Sequence, residues 1–109
     1  MTIKNLDKES LTRLLKNTNK VRCSAILAVP DWCVIEVDTY SLLEKLDTFF
    51  KNKISFYTMS VGLEDEFTIK YGLRNVPTLF VFDSKNTLVA QTFGNDDFNF
   101  LAKVIEPFV

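Results

Sequence analysis

The chain has 109 residues, 47% of them hydrophobic and 25% charged, with a net charge of -1. That length supports one domain, residues 1–109, around a single core. The near-zero charge gives no electrostatic basis for a nucleic-acid or anionic-membrane partner. Histidine is absent, which excludes Cys-His nucleophile pairs, Ser-His triads and imidazole metal sites together.

Residues 1–20 alternate polar and apolar side chains and lack the uninterrupted apolar stretch of a signal peptide. No window approaches the roughly 18 apolar residues of a membrane span. The expected location is the cytoplasm, where thiols stay reduced. Two cysteines, Cys23 and Cys33, match no zinc spacing, so neither a metal nor a cofactor is expected.

In chain order, Ile3-Lys4-Asn5 opens a short strand. Asp7 is a helix N-cap, and Leu11, Leu14 and Leu15 at i, i+3, i+4 predict an amphipathic helix over residues 8–17. Residues 21–29 contain the apolar run Ala25-Ile26-Leu27-Ala28-Val29, the pattern of a strand buried on both faces. A long helix is predicted from Cys33 to about Lys51, with Val34, Val37, Leu42, Leu43, Leu46, Phe49 and Phe50 along one stripe. Cys33 falls near its N-cap and Glu36 at N3, where a carboxylate can accept from free backbone N–H groups.

Residues 54–61 form the next strand and Gly62 ends it. A short helix over 64–71 begins with Glu64, Asp65 and Glu66, as the helix dipole prefers, and Gly72 suits its C-terminus. Residues 73–78 are a loop, 79–82 a strand, 83–86 a turn and 87–93 a hairpin strand. Gly94 breaks that strand. Asn95 is expected to cap the last helix, with Asp96 and Asp97 in its first turn and Phe98, Leu101, Ala102 and Ile105 buried. The order βαβαβαββα predicts an α/β fold: a mixed central sheet with helices on both faces.

Three stretches carry a family resemblance. Asp31-Trp32-Cys33 matches the start of a Trp-Cys-Gly-Pro-Cys motif, residues 70–78 match Tyr-Gly-Ile-Arg-x-Ile-Pro-Thr with its flanks, and Phe93-Gly94 matches a late Val-Gly. Order and spacing together resemble thioredoxin, which implies the thioredoxin fold over roughly the whole chain. The departures are coherent. Glu36 stands in place of the second cysteine, which in the family resolves mixed disulfides, and Val34-Ile35 replaces Gly-Pro. Leu27 falls where the family has a buried acid, and Thr58 where a lysine partners it.

The resemblance implies a role for Cys33 as a monothiol nucleophile. The helix N-terminus favours its thiolate, while Glu36 and Asp31 repel it. Cys33 would form mixed disulfides with protein or low-molecular-weight thiols and leave their release to an external thiol. The alternative is a surface cysteine without turnover on a non-catalytic adaptor. The resemblance also implies a cis bond before Pro77; a trans turn proline is the simpler reading of the residues alone. Trp32, Val34, Val76, Pro77, Phe93 and Gly94 would then form a shallow apolar groove around Cys33 for a protein partner. Gly94-Asn95-Asp96-Asp97 weakly echoes a glutaredoxin glutathione motif with one glycine missing, and a helix cap explains it more simply.

Overall fold

A computed structural model describes residues 3–16, 22–31, 37–51, 53–62, 65–72, 77–93 and 97–109. Its elements are β1 (Lys4–Leu6), α1 (Lys8–Lys16), β2 (Cys23–Pro30), α2 (Val37–Phe50), β3 (Ile54–Val61), α3 (Glu66–Tyr71), β4 (Thr78–Phe82), β5 (Leu88–Phe93) and α4 (Phe98–Ile105). A 3-10 turn, Glu106–Phe108, follows α4 and contains Pro107. The five strands form one sheet in the order β1-β3-β2-β4-β5. β1, β3 and β2 run parallel, and β4 and β5 join antiparallel.

The period-two alternation of strand side chains divides the core into two layers. Ala25, Leu27, Val29, Ile54, Phe56, Leu79 and Val81 face Leu43, Leu46 and Phe50 of α2 and Leu101 and Ile105 of α4. Ile26, Ala28, Met59, Val61, Phe80 and Phe82 face the other way, toward Leu11 of α1 and Tyr71 of α3. All eight residues of β2 are buried, as the continuous apolar run predicts. Burial of each Leu, Ile or Phe contributes roughly 1.5–3 kcal/mol.

Several boundaries depart from expectation. β2 continues through Pro30, whose missing N–H costs nothing at the last strand position. The expected cap at Asn95 is replaced: Asp97 is the N-cap of α4, with extended backbone and Oδ1 accepting from Phe100 N at 2.8 Å. A carboxylate is a strong acceptor for such a free amide. Asn95 and Asp96 lie outside the described residues. Phe49 is not on the buried stripe of α2 but 55% exposed. It sits roughly 100° around the helix from Phe50 and packs edge-on against Phe50 and Phe98, with centroids 5.0 and 5.5 Å away. Phe98 itself is half-buried. α3 starts at Glu66, two residues inside the expected span, after Asp65 folds back, its Oδ2 accepting from Gly62 N at 2.7 Å.

Two turns hold these elements in place. Gly72 closes α3 in the left-handed region, φ 62°, donating its N–H to the Thr68 carbonyl. In the β4–β5 turn, Asp83 Oδ1 accepts from the N–H groups of Lys85 and Thr87. Asn86, at φ 65°, sends its amide to the carbonyls of Leu14 and Leu15 at 3.1 and 2.8 Å. The hairpin thereby supplies a partner for two carbonyls in the last turn of α1.

Candidate functional site

Strand register brings the segments of interest to one end of the sheet. Thr78, the first residue of β4, pairs with Ala28 on one side and Phe93, the last residue of β5, on the other. Pro77, next to Thr78, is buried. Asp31 follows the end of β2, is exposed, and donates its N–H to the Val61 carbonyl at 2.9 Å, which ties this end of β2 to β3. The ends of β2 and β3 and the end and start of β5 and β4 therefore meet along one edge, the edge formed by the carboxyl ends of the parallel strands. Trp32, Cys33, Val34, Glu36, Val76 and Gly94 lie outside the described residues, as do the side chain of Phe93 and the Val76–Pro77 bond.

Beneath this edge the sheet is neutral. Leu27 on β2 and Thr58 on β3 are direct register partners. Leu27 is 1% exposed and Thr58 4%. The Thr58 hydroxyl donates to Asn5 Oδ1 at 3.2 Å, on β1, where Asn5 is its register partner in turn. The two positions where the resemblance implies an acid and a lysine are thus adjacent, yet they hold a hydrocarbon and a hydroxyl already committed to an amide. Neither can exchange a proton near neutral pH.

Cys23 is at the opposite end of β2. Seven residue steps at about 3.3 Å separate it from Pro30 by roughly 23 Å. Three further residues reach back at most roughly 11 Å. A disulfide between Cys23 and Cys33 would need Cα atoms within about 7 Å. Cys23 is buried, and its thiol donates to the Phe108 carbonyl, so it joins the chain's C-terminal turn to the base of the strand.

Sequence reasoning missed two features near this edge. One is the Asp65 carboxylate holding Gly62, which adjoins Asp31; a Cβ built on Gly62 would lie 3.4 Å from Asp31 Oδ2 and 3.6 Å from Asp65 Oδ2. The Gly62-to-Asp65 spacing, i to i+3, was the available signal. The other is a cavity between α1 and α3, assembled from segments too distant in sequence for any local pattern to reveal. Among the described residues no three His, Cys, Asp or Glu side chains converge as metal ligands. No helix among them is long and apolar enough to cross a membrane.

No family model matches the chain, and no curated protein matches it in sequence. Solved structures do. A thioredoxin from Malassezia sympodialis, the allergen Mala s 13, superposes with a TM-score of 0.73 at 18% identity, covering 99% of this chain and 92% of that one. A cysteine-to-serine mutant of thioredoxin from Entamoeba histolytica gives 0.70 at 18% identity, covering 97% of this chain and 99% of that one. Sheet order, mixed strand direction and these superpositions agree: this chain has the thioredoxin fold.

Proposed function

We propose that the chain carries out monothiol disulfide exchange through Cys33. One observation carries this reading. The neutral Leu27–Thr58 pair occupies the two positions from which a thioredoxin would supply the proton relay of its second thiol, and Glu36 occupies the position of that thiol. The loss is consistent across three sites, and it leaves intact what a first thiol needs: a Trp-Cys pair following β2 on a thioredoxin fold.

In the reaction, the Cys33 thiolate attacks one sulfur of a disulfide. A new S–S bond forms to Cys33, the substrate's S–S bond breaks, and the other half leaves as a thiolate with the electron pair. An external thiolate then attacks the substrate sulfur of the mixed disulfide: a new S–S bond forms between them, the bond to Cys33 breaks, and Cys33 leaves as a thiolate. The substrate disulfide is the electron acceptor and the thiols are the donors. Carboxylates at Glu36 and Asp31, close to Cys33 in sequence, would disfavour its thiolate. The reading fits a reducing compartment such as the cytoplasm, where small thiols are abundant.

Incubation with excess oxidised glutathione, followed by intact mass analysis, should give one adduct that disappears in Cys33→Ser. Buried Cys23 should remain unmodified. Absence of any adduct ends the proposal. Glu36→Cys should give only weak insulin reduction; turnover near that of a dithiol thioredoxin would show that the neutral pair suffices.

A second reading is a protein-binding adaptor using Trp32, Val76, Pro77 and Phe93. It is favoured by the burial of Pro77 beside the register-paired starts and ends of β4, β2 and β5. On that reading Cys33→Ser retains partner binding and Trp32→Ala abolishes it. Loss of binding in the serine variant would refute it.

A further inference from the structure

We propose that the cavity between α1 and α3 binds a small amphipathic monocarboxylate, one ring or a short chain bearing a single carboxylate. The cavity has a volume of about 260 Å³. A cavity of about 150 Å³ admits benzene, so there is room for one ring and a short acidic arm. Its walls are apolar: Leu6, Leu11, Leu15, Met59 and the Tyr71 ring. Leu6, Leu11 and Met59 are buried and form its floor, while its mouth is open to solvent.

The polar groups that line it divide into those already committed and those available. Asp65 Oδ2 accepts from Gly62 N, which offsets part of its charge, and the Thr12 hydroxyl donates to the Lys8 carbonyl. The cations are Lys8 in the first turn of α1 and Lys70 in the last turn of α3. Lys70 Nζ rests 5.4 Å from the centroid of the Tyr71 ring, so a cation and an apolar wall come from adjacent residues. Two ammonium groups against one committed carboxylate select an anion, and the leucine walls select an apolar body over inorganic phosphate. The cavity also lies at the carboxyl ends of β1 and β3, touching Leu6, Met59 and Ser60.

The test is methyl and amide NMR on the full chain, titrated with 3-phenylpropionate, 3-phenylpropan-1-ol and 3-phenylpropylamine. Saturable shifts are expected at Leu11, Leu15 and Met59 with the carboxylate, complete below about 5 mM. The alcohol should bind about tenfold more weakly and the amine not at all. Lys8→Gln/Lys70→Gln should reduce the carboxylate to the alcohol's affinity while leaving the spectrum of the free protein folded. Cys33→Ser should leave the titration unchanged, which separates this site from the thiol chemistry. No saturable shift at those methyls overturns the proposal. So does equal affinity for carboxylate and alcohol, or a double variant that binds like the unmodified chain.

Discussion

The two faces of the sheet are covered differently. Against one, α2 and α4 insert Leu43, Leu46, Phe50, Leu101 and Ile105 into the strands, and Phe49 and Phe98 meet edge-on outside this layer, beside a shallow open hollow with Lys45 and Thr48. Against the other, α1 and α3 leave a cavity walled by Leu6, Leu11 and Met59. The sheet presents a comparably apolar surface to both. The difference lies in the longest and shortest helices: α2 covers the closed face with fourteen residues, whereas α3 on the open face has six. A short helix docks through one or two large side chains and leaves unfilled space beside them, which is room for a ligand at some loss of packing.

The sharpest way to break the comparison is to truncate matching leucines. Leu46→Ala removes a fully buried side chain from the closed face and should cost about 3–5 kcal/mol by urea denaturation. Leu11→Ala, beside existing space, should cost about 2 kcal/mol, because fewer neighbours lose contact. Equal costs would mean that the faces are packed alike.

Next in size is the hairpin's hold on the open face. Asn86→Gly keeps the left-handed backbone but removes the amide that reaches Leu14 and Leu15. A loss of about 1–2 kcal/mol is expected, with faster hydrogen exchange confined to α1. Exchange rising equally in α4 would contradict the assignment.

The helix caps give smaller effects. Asp97→Ala should destabilise α4 on the closed face by about 1 kcal/mol, and Asp97→Asn by little. On the open face, Asp7 caps α1 by accepting from Ser10 N at 2.7 Å, and that backbone hydrogen bond holds its pKa below the usual 3.8. Because the folded pKa is lowered, the stability it contributes is complete above 3.8 and is lost as pH falls through the lowered value. Asp7→Asn should therefore flatten the acid limb of a stability-against-pH curve and leave neutral pH nearly unchanged.

Element order and most strand limits were readable because β2, β3 and β4 are dense in β formers and separated by glycine, asparagine or proline. The Tyr71-Gly72 end of α3 was readable for the same local reason. Phe49 was misread because the apolar stripe of α2 is wider than its contact with the sheet. The α4 cap was misplaced because Asn95, Asp96 and Asp97 are three competent caps in a row, and only the path of the chain selects among them. At the candidate site, the Leu27–Thr58 substitution was legible through the resemblance, whereas the contact of Thr58 with Asn5 depends on strand order and was not. The cavity between α1 and α3 had no local signature at all.

The Asn86 amide has a consequence for synthesis on the ribosome. α1 receives this hydrogen bond from a side chain made some seventy residues later. Until the β-hairpin leaves the exit tunnel, the Leu14 and Leu15 carbonyls lack that amide. Such distant closure is slow to form. A nascent chain halted before residue 86 should therefore show a frayed first helix that becomes protected once the turn is released.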